Sequence, residues 1–339
     1  MRNPKTLGIA VLVLVILAVG FIFNRPPQPD ISLKGDPLFT IGPLTVTNTL
    51  ISAYCVTIIL GILAYIGTRK ASLVPSGFYN FVEAVTEWML NVCEDIAGKE
   101  NGRRFFPVVA TIFLLVISCN YFGLLPINNT IGIAHSLPGP QHEEKAGVTA
   151  HKVGSIWWVT SGSKFVAEDK EAPPADDTHA TIQFRPFFRS ANSDANAPLS
   201  IAIWSAIFVE FWGLSTLGYK YLGKFFSFPP FAKSANPINI FVGILELLSE
   251  FIRIISFTFR LFGNIFAGDV VILFISFLAP LIVPTVFFGL ETFVGFIQAA
   301  VFALLTLVFA ISAVEHHGEE EHHEEAHEIA GAHGGFATQ

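Results

Sequence analysis

The 339-residue sequence is short of charge and of sulfur. Only 14% of its residues are Asp, Glu, Lys or Arg, where a soluble chain of this size carries roughly a quarter. There are three cysteines, Cys55, Cys93 and Cys119, with no CxxC and no disulfide-like spacing. This excludes a disulfide scaffold and a thiolate metal centre, and leaves small apolar packing as their role. No basic cluster suggests nucleic acid as a partner. Alternating ten-residue segments are missing, which excludes a transmembrane β-barrel. Every histidine lies outside the long apolar runs, so the axial pairs of a redox membrane anchor are missing too. No internal inverted repeat is visible. A self-contained secondary ion-coupled transporter, with its substrate cavity between paired broken helices, therefore stands only as the alternative reading.

What the chain has is apolar length. It is 52% hydrophobic with a mean hydropathy of +0.57, and several runs exceed the ~20 residues that span a hydrocarbon core. The fold class is all-α polytopic membrane protein, with about five to six membrane helices. Residues 1–23 read as an N-terminal signal or signal-anchor: Arg2 and Lys5 precede the apolar run Leu7–Phe23, and no Ala-x-Ala site follows. Residues 24–45 form an extracytoplasmic linker. Residues 46–125 hold two spans, about Val46–Ile66 and Phe105–Leu125, with an amphipathic helix between them. In that helix Phe78, Phe81, Val82, Val85, Trp88 and Met89 recur at helical spacing against Glu83, Glu87, Glu94 and Asp95. Arg69-Lys70 and Arg103-Arg104 flank it, which puts it in the cytoplasm.

Residues 126–197 are an extracytoplasmic insertion. Pro138, Pro140, Pro173, Pro174 and the pair Trp157-Trp158 suggest a small β-rich excursion or hairpin, and its histidines (His135, His142, His151, His179) lack ligand spacing. Residues 198–234 carry a third main span, about Pro198–Leu217, which returns inside at Lys220 and Lys224. Glu210 within it reads as structural or water-facing rather than catalytic.

Residues 235–314 are a helix hairpin. Upright, Pro237–Leu278 would reach roughly 60 Å, twice the hydrocarbon thickness, so it must tilt strongly, bend or run along the interface. Pro280 and Pro284 mark the turn, and Phe287–Ala313 goes back. Residues 315–339 form a cytoplasmic tail holding six of the ten histidines among glutamates. It reads as a solvated, disordered segment, with weak Zn²⁺ or Ni²⁺ binding or proton buffering as alternatives.

The hairpin also carries the costly residues. An arginine at bilayer depth, Arg260, is by default a functional-site hypothesis. With Arg260 as zero and ~100° per residue, Glu246 falls at about +40°, Arg253 at about +20°, Ser256 at about −40° and Asn264 at about +40°. Asp269 falls at about 180°, roughly 13 Å further along the axis. On the return helix Glu291 and Gln298 are seven apart and share a face. In an antiparallel hairpin Gln298 comes near the level of Arg260, and Glu291 near that of Asp269. Two polar tracks thus reach mid-membrane from opposite sides on different faces, with a fixed cation between them. Such an interrupted track suits an ion translocator that must not leak.

Arg260-Leu-Phe-Gly-Asn-Ile-Phe-Ala-Gly268, followed by an acid at 269, resembles the signature of subunit a of F-type ATP synthases. Asn120-Tyr-Phe-Gly-Leu-Leu-Pro126, Phe188-Arg-Ser-Ala-Asn-Ser-Asp-Ala-Asn196 and Phe296-Ile-Gln-Ala-Ala-Val-Phe-Ala-Leu-Leu-Thr306 resemble other segments of that family. The resemblance leaves out roughly 1–40, 130–183 and 315–339. It implies an ion-translocating stator subunit of the membrane sector, multi-pass in the bacterial inner membrane, with no active site or cofactor of its own. Its partners would be a ring of c subunits against which the hairpin packs, peripheral-stalk b subunits, other ATP synthase subunits and the bilayer.

By the same resemblance Arg260 matches the essential arginine that separates two aqueous half-channels. Asp269 and Glu291 match the polar pair of the outer one, and Glu246, Ser256 and Asn264 match positions along the inner one. Gln298 matches a glutamine close to the arginine, and Asn120 a polar position near the outer inlet. Some members carry histidine where Glu291 stands; Asp269 is one methylene shorter than the usual glutamate; Gly123 replaces an acid that some members have. H⁺ is the implied ion, with Na⁺ left open.

Overall fold

The computed structural model describes residues 35–69, 77–128, 131–137, 148–153, 156–161, 181–218, 221–222, 225, 237–278 and 282–315. The expected signal segment at 1–23, most of the linker, His142 and His179 of the insertion, and the tail beyond Glu315 lie outside these. Five helices in the described residues are long and apolar enough to cross a membrane. They are α1 (Asn48–Thr68), α2 (Phe78–Gly123), α3 (Asn196–Leu217), α4 (Pro237–Leu278) and α5 (Ile282–Glu315). This is the architecture of an all-α polytopic membrane protein.

Small strands are added where the helices are not. The end of the expected linker is a β-hairpin, β1 (Pro37–Ile41) with β2 (Leu44–Thr47), turned at Gly42. The hydroxyl of Thr47 accepts the Leu50 amide at 3.3 Å and caps the start of α1. The insertion folds beyond a single hairpin, into a four-stranded antiparallel sheet. Its strands are β3 (Ile131–Leu137), β4 (Val148–Val153), β5 (Ile156–Ser161) and β6 (Thr181–Pro186), in the order β4-β5-β3-β6. His135 pairs across from Gln183 and His151 from Trp158. These two histidines sit on strands that are not neighbours.

The amphipathic segment and the second span form the one continuous element α2, but the path breaks at Gly98, where φ is 74° and ψ 165°. Only glycine takes such a conformation cheaply. The chain folds back there: Arg103 reaches Glu94 at 2.7 Å, and the Trp88 and Phe113 rings lie 6.0 Å apart. The segment before Gly98 therefore packs along the span that follows it. The return helix α5 starts at Ile282, earlier than expected, with Pro284 in its first turn, where backbone N–H groups have no helical partner to lose.

The described chain divides into two compact units, and both α4 and α5 contribute to each. One takes in residues of Met1–Gly61, Leu115–Pro198 and Phe259–Gln298; the other takes in residues of Ile62–Leu114, Leu199–Thr258 and Ala299–Gln339. The first is centred on polar contacts. The second has an aromatic core: Phe105 lies tilted against Trp212 with centroids 4.6 Å apart, and Phe257 tilted against Phe302 at 4.8 Å. Ser205 and Thr306, both buried, share a hydrogen bond of 2.8 Å between α3 and α5. Burial is lowest on α4: only 11% of its most apolar window is covered, against 44% for α5. A long face of α4, including Phe241, Leu248, Phe251, Ile255 and Phe259, is thus left for lipid or another chain.

Candidate functional site

The polar residues of the first unit converge at a pocket with about 10 Å³ of room for water centres, enough for about one molecule. Asn120, Gly123 and Leu124 of α2 and its end line it, with Ser190, Ile265 and Asp269, and Glu291 of α5. Asn120, 3% exposed, is the hub. Its Nδ2 donates to the Gly295 carbonyl at 3.0 Å, and its Oδ1 accepts from Asn192 Nδ2 at 2.7 Å. Glu291 packs on the backbone at Gly268: a Cβ built there would lie 2.2 Å from Oε2. Only glycine at 268 lets the carboxylate sit there.

Asp269 is half-buried. Ser193 hydrogen-bonds it, and Arg189 and Glu291 act on it as charges of opposite sign to one another. Among the described residues Glu291 Oε1, Ser190 Oγ and Asn192 Oδ1 are buried without a hydrogen-bond partner. A buried polar atom left unmatched costs about 1–3 kcal/mol. The adjoining pocket has room for a water that would bond to such atoms.

The second group is on the hairpin itself. Asn264 Nδ2 donates to Gln298 Oε1 at 3.4 Å, and Gln298 Nε2 is buried without a partner. The antiparallel register therefore brings Asn264 opposite Gln298 and Gly268–Asp269 opposite Glu291. Arg260 is exposed on α4 beside Phe259, which is 63% exposed. Glu246 and Ser256 belong to the other unit, half-buried and exposed respectively. Arg253, on the same stripe, is bound to Glu250 at 2.6 Å.

A sequence profile described as ATP synthase A chain matches residues 49–310. The chain belongs to this family. It is 29% identical over 308 residues to ATP synthase subunit a of Gloeobacter violaceus, covering 91% of this chain and 99% of that protein. Over 281 residues it is 26% identical to ATP synthase subunit a of Moorella thermoacetica (83% and 96% covered). The corresponding protein of Campylobacter jejuni is 27% identical over 263 residues, with 76% and 86% covered. The chain is a subunit a of the membrane sector of an F-type ATP synthase.

For this subunit a, reading the sequence located Asn120, Asp269, Glu291, Asn264 and Gln298, but it gave no role to Arg189, Ser190, Asn192 and Ser193. One signal was available. The run Arg189-Ser-Ala-Asn-Ser-Asp194 is polar, yet Ser190, Asn192, Ser193 and Asp194 are buried, and buried polar groups need partners. Asp194 finds them in the amide of Gly35 at 3.3 Å, the Thr49 hydroxyl at 3.1 Å and Asn196 at 3.1 Å. This clasp fixes the backbone from which Asn192 reaches Asn120 and Ser193 reaches Asp269, both of which line the pocket.

Proposed function

We propose that this subunit conducts protons through two offset half-channels separated by Arg260, and so couples proton flow to rotation of a c-ring and to ATP synthesis. The single observation that supports the reading best is the pocket shared by Asn120, Asp269 and Glu291, with unmatched polar atoms around it. Two carboxylates among amides and hydroxyls, with the Arg189 charge acting on Asp269, can take up and release protons. Asp269, Glu291 and Asn120 form the outer path; Glu246, Ser256 and Asn264 form the inner one, on the Arg260 side of α4. Gln298 holds Asn264 near the arginine.

The reasoning runs through charge. An arginine stays protonated at any working pH. A c-subunit carboxylate passing Arg260 is favoured in its ionised form by the opposite charge. It must lose its proton to the inner path before passing and regain one from the outer path before meeting lipid again, where an unpaired charge is costly. The drive is about 2.3 kcal/mol per charge per 100 mV. The open apolar face of α4 around Phe259 and Arg260 is the surface offered to the ring. The subunit does no bond chemistry of its own; ATP is made by other subunits of the complex. It works in a bacterial inner membrane beside stalk b subunits, with the linker and the sheet-bearing insertion outside and the tail inside.

The test is Arg260→Ala in the assembled complex, read as ATP-driven acidification of inverted membrane vesicles. Pumping is expected to disappear while the detached catalytic head still hydrolyses ATP. Wild-type pumping in that variant would sink the proposal.

A further inference from the structure

The second unit holds a polar cluster that the half-channel scheme does not use. On α3, Glu210 is half-buried, and its Oε1 is enclosed by protein. Tyr221, just beyond α3, is 3% exposed and turns its hydroxyl to Glu210. The ring of Tyr221 lies flat against α3 because residue 213 is glycine: a Cβ there would come within 2.6 Å of Cε2 and Cζ. From α4, Glu250 and Arg253 also act on Tyr221. Arg253 is fixed twice, by Glu250 at 2.6 Å and by the Phe309 ring, whose centroid is 3.9 Å from the guanidinium carbon. Beside Arg253 lies a second pocket, lined by Ser205, Val209 and Phe257 among others, with about 10 Å³ of room for water centres.

The two glutamates of this cluster are held by different chemistry. Glu250 is bound to the Arg253 guanidinium at 2.6 Å. Glu210 faces a phenol, and burial followed by the charge of Glu210 holds that phenol above the usual tyrosine range. Tyr221 therefore stays a neutral donor. A phenol O–H donates to a carboxylate and, more weakly, to the carbonyl oxygen of the protonated acid. Glu210 can thus gain and lose a proton without its partner moving. By helical rise Glu250 and Arg253 lie about 15 Å and 10 Å before Arg260 along α4, on the side assigned above to the inner path.

We infer that Glu210 is a proton-exchanging residue of the inner path, seated by Tyr221 and fixed beside the Glu250–Arg253 pair. The inference rests on the half-channel reading. In the synthesis direction a proton arriving by water forms an O–H bond on the Glu210 carboxylate; that O–H then breaks and the proton leaves to cytoplasmic water, with no net change on the residue. Beside it, Glu250 and Arg253 of α4 act on its neighbour Tyr221, and Arg104 of α2 reaches α3 further along. Arg104 donates to Ser215 and, at 2.8 Å, to Thr216, about one and a half turns further along α3.

The experiment uses the whole complex in inverted vesicles, whose outer solution is the cytoplasmic side, with pumping followed as that solution's pH alone is varied. Glu210→Gln is expected to slow pumping at least fivefold and to flatten its dependence on that pH, while Glu210→Asp keeps most of the rate. Tyr221→Phe removes a donor to the carboxylate without changing volume, so it should move the pH profile upward by up to about one unit. If Glu210→Gln fails to assemble, the Asp and Phe variants decide. A wild-type rate and profile in Glu210→Gln, or unmoved profiles in both of the others, overturn the inference. Arg260→Ala is run in parallel: normal pumping there overturns the half-channel reading instead, whatever Glu210 does.

Discussion

The carboxylates of the two units are held in contrasting ways. In the first, Asp269 and Glu291 sit among amides, hydroxyls and bare backbone, with Arg189 acting on Asp269 as a charge, and several polar atoms nearby have no bond. In the second, Glu250 is clamped to a guanidinium that is itself stacked on an aromatic ring. A clamped charge is static. It holds helices together, and removing its partner leaves a buried charge behind. A carboxylate among neutral donors is adjustable, because either protonation state finds bonds. On the half-channel proposal the contrast separates proton-exchanging residues from residues that hold the frame, and Glu210, as inferred above, goes with the first kind although it lies among the second.

Removing the adjustable pair should have the largest effect. Asp269→Ala combined with Glu291→Ala is expected to slow passive and ATP-driven proton flux at least tenfold while the complex still assembles. Unchanged flux would remove both from the path. Next comes Gly268→Ala, which leaves every titratable group in place but puts a methyl where the Glu291 carboxylate lies. A several-fold loss of flux is expected with normal subunit content, and wild-type flux would show that the seat of Glu291 does not matter.

The clamped pair should respond in the opposite sense. Arg253→Met removes the ion pair of Glu250, whose side chain is 12% exposed, at a cost of about 3 kcal/mol. Heat should then release the subunit from its membrane complex at lower temperature, with flux per assembled complex unchanged. Lost flux at full stability would break the comparison. The smallest effect is expected from deleting residues 135–180 of the insertion, which should leave pumping within about twofold if the sheet is an accessory. A larger loss would bring that region into the path.

The sequence made the hairpin legible because helix geometry has few free parameters. Rise and turn alone put Gln298 near the level of Arg260 and Glu291 near that of Asp269; the 3.4 Å contact of Gln298 is with Asn264, about one turn further along α4. What periodicity cannot carry is a contact between distant segments. Ser193 and Asp269 are far apart in the chain, and no local pattern in either announces the other. The fold-back at Gly98 was hidden for a related reason: one left-handed residue reverses a helix whose apolar spacing looks the same on a membrane surface as against a neighbouring span. The register of the insertion's sheet depends on pairings across long loops, so composition indicated strands but not their order.

The Asp194 clasp bears on the order in which the subunit can be made. Its bond to Gly35 closes a loop of 159 residues, and its bond to Thr49 joins the start of α1 to the segment that leads into α3. Neither can form until α1, both arms of α2 and the whole insertion have been synthesised. Only then is the backbone that carries Asn192 and Ser193 held in place. A chain still emerging from the ribosome therefore has α1 and α2 before the segment that carries Asn192 and Ser193 is anchored, and α3 to α5 are added to a seat already fixed.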